Sequence, residues 1–119
     1  GDIQIGTVGN STALTSLTVD NDAATDGTTT LYGNITTTGV ITMTDANDIN
    51  LAGNVTMMTT NSNVILGGAA TDLLDGAYTL AIDVGTGDIT LPLVGNGTPL
   101  AALSVSDSGS IDLLNAVNA

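Results

Sequence analysis

Apolar side chains in this chain come in short alternating bursts, each closed by a cluster of Gly, Asn, Asp or Ser. A period of two residues puts alternate side chains on opposite faces, so each burst predicts a strand buried on one side. The predicted strands lie in Leu14-Thr15-Ser16-Leu17-Thr18-Val19, Thr29-Thr30-Leu31-Tyr32, Val40-Ile41-Thr42-Met43-Thr44, Ile49-Asn50-Leu51 and Val55-Thr56-Met57-Met58. They continue in Val64-Ile65-Leu66, Tyr78-Thr79-Leu80-Ala81-Ile82, Ile89-Thr90-Leu91, Leu103-Ser104-Val105 and Ile111-Asp112-Leu113. A helical period competes only weakly, from Ala69 to Asp75. Thr fills many positions between apolar residues, where its β-branch favours extended backbone and its hydroxyl is expected to face water. Gly and Asn close the bursts because they accept the left-handed backbone of tight corners.

Short strand, corner, short strand predicts an all-β chain wound as a β-helix, or β-solenoid. With roughly 20 to 25 residues per coil it would hold about five coils stacked ~4.8 Å apart, a rod about 25 Å long with open sheets at its ends. Which Thr and Ala residues face inward at the corners stays open at this level. The rival reading is a β-sandwich fibre subunit, which also tolerates short strands every ~8 to 12 residues.

An internal repeat separates the two. Gly1-Asp2-Ile3 recurs as Gly87-Asp88-Ile89, an offset of 86, and the match runs on without a gap. Val8-Gly9-Asn10 meets Val94-Gly95-Asn96; Thr12, Leu14, Leu17 and Val19 meet Thr98, Leu100, Leu103 and Val105. A single sandwich has no reason to restart its opening phrase. The expectation is one solenoid segment over 1–119, with a repeat unit at 1–86 and the start of the next at 87–119. Such a piece would belong to a longer polypeptide or stack end to end with copies of itself.

Composition narrows the chemistry. The 119 residues include no Lys, Arg, His, Cys, Phe or Trp, and all 12 acidic residues are Asp. An apolar content of 42% is too high for a disordered acidic tail, so the chain should fold on thin layers of aliphatic side chains. A net charge of −12 without one cation excludes nucleic acid, whose binding needs Lys and Arg to displace counterions, and disfavours an anionic membrane surface. No stretch reaches the ~20 apolar residues that cross a bilayer, and Gly1 does not open a signal peptide. Trypsin-like proteases find no cleavage site, which suits exposure outside the cell.

Catalysis has little to work with: no nucleophile can be paired with a base, and only a pair of Asp residues acting on a glycoside would remain. Most Asp residues sit beside Gly, Asn or Ser, as in turns where the side chain bonds its own backbone. Calcium is the candidate cofactor, because a hard cation takes carboxylate and carbonyl oxygens. The candidate ligands are Asp20, Asp22 and Asp26, with Asp45, Asn47 and Asp48 as a second set; neither follows a known calcium-loop pattern. Asn10, Asn34, Asn54 and Asn96 each begin an Asn-x-Ser/Thr triplet, a number that Asn- and Thr-rich composition accounts for. The Thr clusters at 28–30, 36–38 and 42–44 are too irregular for an ice-binding face.

The phrases VGNSTALTSLTVD, GTTTLYGNITTTGVITMTD, LLDGAYTLAIDVGTGDITL and VGNGTPLAALSVSDSGSIDL resemble the repeat units of giant bacterial surface proteins with filamentous-haemagglutinin-type β-helices. The resemblance covers nearly the whole chain. It implies a right-handed parallel β-helix that is secreted and displayed at the cell surface, serving adhesion, biofilm matrix or surface fibres, without a catalytic motif. The chain holds one repeat and part of a second, where such proteins hold dozens. The implied partners are the chain itself, by head-to-tail continuation or homopolymerisation, and a host or neighbouring cell surface, with no membrane insertion. The alternative function is a pilin-like or biofilm-matrix fibre subunit with a sandwich fold that polymerises by strand donation.

Overall fold

The computed structural model describes residues 2–20, 27–43 and 48–119. Fourteen strands follow one another: β1 (Ile3–Ile5), β2 (Leu17–Thr18), β3 (Thr28–Leu31), β4 (Ile35–Thr36), β5 (Ile41–Met43), β6 (Asp48–Leu51) and β7 (Val55–Met58). Then come β8 (Val64–Leu66), β9 (Leu73–Asp75), β10 (Thr79–Asp83), β11 (Ile89–Leu91), β12 (Leu93–Val94), β13 (Ala102–Asp107) and β14 (Ile111–Leu113). They form three sheets, ordered β1-β3-β6-β9-β12, β4-β7-β10-β13 and β2-β5-β8-β11-β14, so the chain visits the three faces in rotation. Neighbours within a sheet are one turn apart. The five-stranded sheets therefore span four turns from first strand to last.

Every strand pair among the described residues is parallel. This sets aside the sandwich, whose short connections would produce antiparallel neighbours; a parallel partner is reached only after a long crossover, here one full coil. Coil length varies with the corners: Thr29 meets Ile49 after 20 residues, and Ile3 meets Thr29 after 26.

Alternation along each strand sends one set of side chains inward, and parallel register stacks that set into columns. On the first face Ile3, Thr29, Ile49, Leu74 and Val94 lie over one another. On the second face one column is Val55, Leu80 and Leu103, and another is Ile35, Met57, Ile82 and Val105. On the third, Leu17, Ile41, Val64, Ile89 and Ile111 stack. The middle turns bury these residues almost completely, and each column is held by contact with the turn above and the turn below.

Most predicted strands are present within a residue or two. The run from Leu14 to Val19 shrinks to β2, with Leu14 bridging Thr37 across an intervening bend. β1, β4, β9 and β12 do not appear among the predicted strands; β4 and β12 have only two residues, too few to show a period. The weak helical period at 69–75 gives a turn followed by β9, in which the Asp72 carboxylate accepts bonds from the Gly68 and Ala69 amides. β12 is divided from β11 by Pro92 alone, which has no N–H to donate to a ladder and so marks the corner.

Thr corrects a second expectation. Thr29, Thr37 and Thr59 point inward and are buried. Thr37 and Thr59 use their hydroxyls at a corner, donating to the Gly39 and Ser62 carbonyls. The Thr29 hydroxyl has no hydrogen-bond partner and sits between Ile3 and Ile49. Replacing it with an isosteric methyl in Thr29→Val removes that orphaned group at constant shape, and is expected to raise stability by roughly 1–3 kcal/mol. Thermal or urea unfolding measures it; an unchanged or lowered midpoint defeats the assignment.

Candidate functional site

Outward-facing polar residues brace one turn to the next. The side-chain oxygens of Asp2, Asn34, Asn54, Asn61, Asn63, Asp75 and Asp88 accept backbone N–H bonds from Thr28, Thr56, Thr79, Thr86, Asp88, Gly97 and Ser110 respectively. The partners lie 22 to 26 residues ahead, a full coil away, whereas the sequence led one to expect bonds within the residue's own turn. Asp83, which accepts from the Gly85 amide, and Asp72 keep the local pattern. At these corners the amides have no strand partner in reach, and an Asx oxygen from the turn below satisfies them.

Asp88 belongs to two of these bonds, donating its amide to Asn63 Oδ1 at 2.8 Å and accepting the Ser110 amide at 2.9 Å. The Ser110 amide, seconded by the Ser110 hydroxyl, holds the Asp88 carboxyl below its ordinary value of 3.8. A carboxyl depressed on folding contributes stability that is present above its unfolded value and lost as pH falls through the lower folded value. The stability difference between the wild type and Asp88→Asn is therefore expected to hold at neutral pH and to change only as acidification approaches and passes 3.8. Parallel acid titrations of the two proteins check this, and a difference that begins to change above pH 5 would contradict it.

Of the candidate calcium ligands, Asp22, Asp26, Asp45 and Asn47 lie outside the described residues. Asp20 is exposed after β2, and Asp48 opens β6. Among the described residues no group of three or more acidic side chains is gathered as a metal would require. A shallow open hollow of about 220 Å³ lies on the first face, lined by Thr28, Asp48, Asn50, Leu73 and Asp75. The triplet residues Asn34 and Asn54 serve as interturn acceptors, while Asn10 and Asn96 sit in exposed bends. The Thr clusters at 28–30 and 36–38 do not form a flat array, since Thr29 and Thr37 turn inward between exposed or half-buried neighbours.

The ends of the coil stack leave apolar side chains in contact with solvent. Ile111 and Leu113 are 47% and 52% exposed, although Ile89 and Leu91 directly beneath them are 0% and 1% exposed. Leu103, Val105 and Val117 on the same edge, and Ile3, Ile5 and Leu17 at the other end, are only half-buried. Each end also leaves one side of its edge strands without a ladder partner. Sequence reading anticipated open ends, but the residues that form them follow from the winding. Among the described residues there is no helix long and apolar enough to cross a membrane. Comparison with family models, with curated proteins and with solved structures finds no match to this chain.

Proposed function

We propose that this chain is a rigid rod segment of a secreted surface adhesin or filament of the filamentous-haemagglutinin type, structural and adhesive, with no catalytic role. In this reading its coils continue into neighbouring repeats or stack on other copies, and the rod extends a binding surface toward a host or neighbouring cell. One observation carries it: inward-directed Ile111 and Leu113 stand half exposed on an open edge that has the same strand geometry as the buried turn beneath. An edge of that kind is a template for another parallel strand. The absence of any basic residue fits a surface that meets neither nucleic acid nor anionic lipid as a partner. The phrase-level resemblance supports the extracellular setting.

Electron micrographs of purified protein over a range of concentrations test the reading. Rods or fibres of uniform width are expected, favoured by salt because every copy carries −12. Monodisperse compact particles of 11.7 kDa at every concentration and salt would overturn self-stacking. Absence of binding to any cell surface would remove the adhesive half.

A further inference from the structure

The opening turn and the closing turn are built alike down to individual hydrogen bonds. The Val8 amide donates to the Asn34 carbonyl at 2.9 Å, and the Val94 amide to the Ala116 carbonyl at 3.0 Å. In return the Thr36 amide donates to Val8 at 3.0 Å, and the Asn118 amide to Val94 at 2.8 Å. Leu14 and Leu100 then donate to the carbonyls of Thr36 and Asn118 at 3.3 and 3.4 Å. Gly9 and Gly95 share a left-handed φ of 73° and 70°, and a Cβ on either would meet the Thr36 or Asn118 carbonyl oxygen. Asp2 accepts the Thr28 amide as Asp88 accepts that of Ser110.

These pairs show a repeat that changes register. Lower-turn residues correspond at an offset of 86, as Asp2 to Asp88, but the residues seated on them correspond at 82, as Thr29 to Ile111 and Ile35 to Val117. The chain from Val105 to Ile111 is four residues shorter than that from Val19 to Thr29, which hides the second half of the match from gapless alignment. The repeat also changes face. β1 lies in the first sheet and β11 in the third, so one repeat advances eleven strand positions, or three and two-thirds turns.

The first copy shows what covers this edge. Thr29 and Leu31, the counterparts of Ile111 and Leu113, are 0% exposed because β6 lies on them. β5 covers β2, the counterpart of β13, and β7 covers β4, the counterpart of the strand position at Val117. We infer that the open edge formed by β13, β14 and Val117 is a docking edge for one further coil with the pattern of residues 38–58, supplied by the same polypeptide, and that each successive repeat is turned by one face of the rod. The inference rests on the rod reading but is narrower, since it names the occupant and its register. Direct stacking of a second copy is a different arrangement: the first copy's opening turn corresponds to β11–β13, which rests on β8–β10, and not on residues 103–117.

Two grafts onto the full chain test it. Ala119 corresponds to Thr37, so residues 38–86 are appended directly after Ala119; in the second graft residues 38–86 precede Gly1, as residue 86 precedes Gly87. Hydrogen exchange of the Ile111–Val117 amides in the first graft, and of Ile3–Leu17 in the second, is expected to slow by roughly tenfold or more. Replacing the inward Ile41 and Ile49 of the first appended segment, or Val64 and Leu80 of the second, with Asp should abolish the protection, because a charge would then face the edge it has to cover. Appending residues 2–58 instead should give none. The inference is overturned if neither correct graft protects its edge, or if the 2–58 or Asp-substituted grafts protect equally well. Rods in micrographs together with unprotective grafts would reject this occupant and leave the rod reading standing; protective grafts without rods would reject self-stacking and leave continuation within one polypeptide.

Discussion

Leu80→Ala is expected to lower stability by roughly 2–5 kcal/mol, the range for deleting a buried leucine whose surroundings collapse only partly. Leu80 is completely buried in β10, with Val55 in the turn below and Leu103 in the turn above. Truncation would leave a hole between turns, breaking two nearest-neighbour interfaces in a stack where each turn has only two. Leu103→Ala, in the same column but half-buried at the open edge, should cost clearly less. Urea unfolding of the pair measures the contrast. Equal losses would mean that the last turn is covered in solution, or that the column does not exist.

Gly76→Ala should be at least as damaging for a different reason. Gly76 joins β9 to β10 with φ of +128°, a backbone conformation that L residues rarely adopt, and it lies over Leu51. A Cβ there would stand 2.5 Å from the Leu51 carbonyl oxygen and 2.9 Å from its nitrogen, so relief requires moving backbone. Roughly 1–3 kcal/mol for the strained dihedral and a similar amount for overpacking give a loss of roughly 2–6 kcal/mol. Against a typical stability of about 5–15 kcal/mol, that can unfold the chain at body temperature. Gly6→Ala is the control, since a Cβ at Gly6 meets nothing within 4 Å. If the two variants melt together, the corner over Leu51 is not as described.

The Asx residues show how much of the surface was legible. Their abundance beside Gly and Ser marked corners correctly, but the partner of Asn63 is the amide of Asp88, and no local pattern announces a bond that spans 25 residues. The candidate calcium positions are neighbours along the chain. Of the six residues in the two sets, Asp20 and Asp48 fall among those described, and the other four lie outside them.

By itself the sequence determined the all-β class, the solenoid winding, most of the strands and the self-similarity of the two opening phrases. These follow from local alternation, because a two-residue period is written directly in neighbouring residues. Tertiary structure decided the rest. Which strands meet, and in what register, depends on the cumulative length of three corners, and with coils of 20 to 26 residues no local signal fixes it. The inward turn of Thr29 follows from its register between Ile3 and Ile49, since a threonine is compatible with either side of a strand. The exposure of Ile111 and Leu113 is likewise a property of position in the stack: the same kind of apolar residue is buried one turn down, where another coil lies above it.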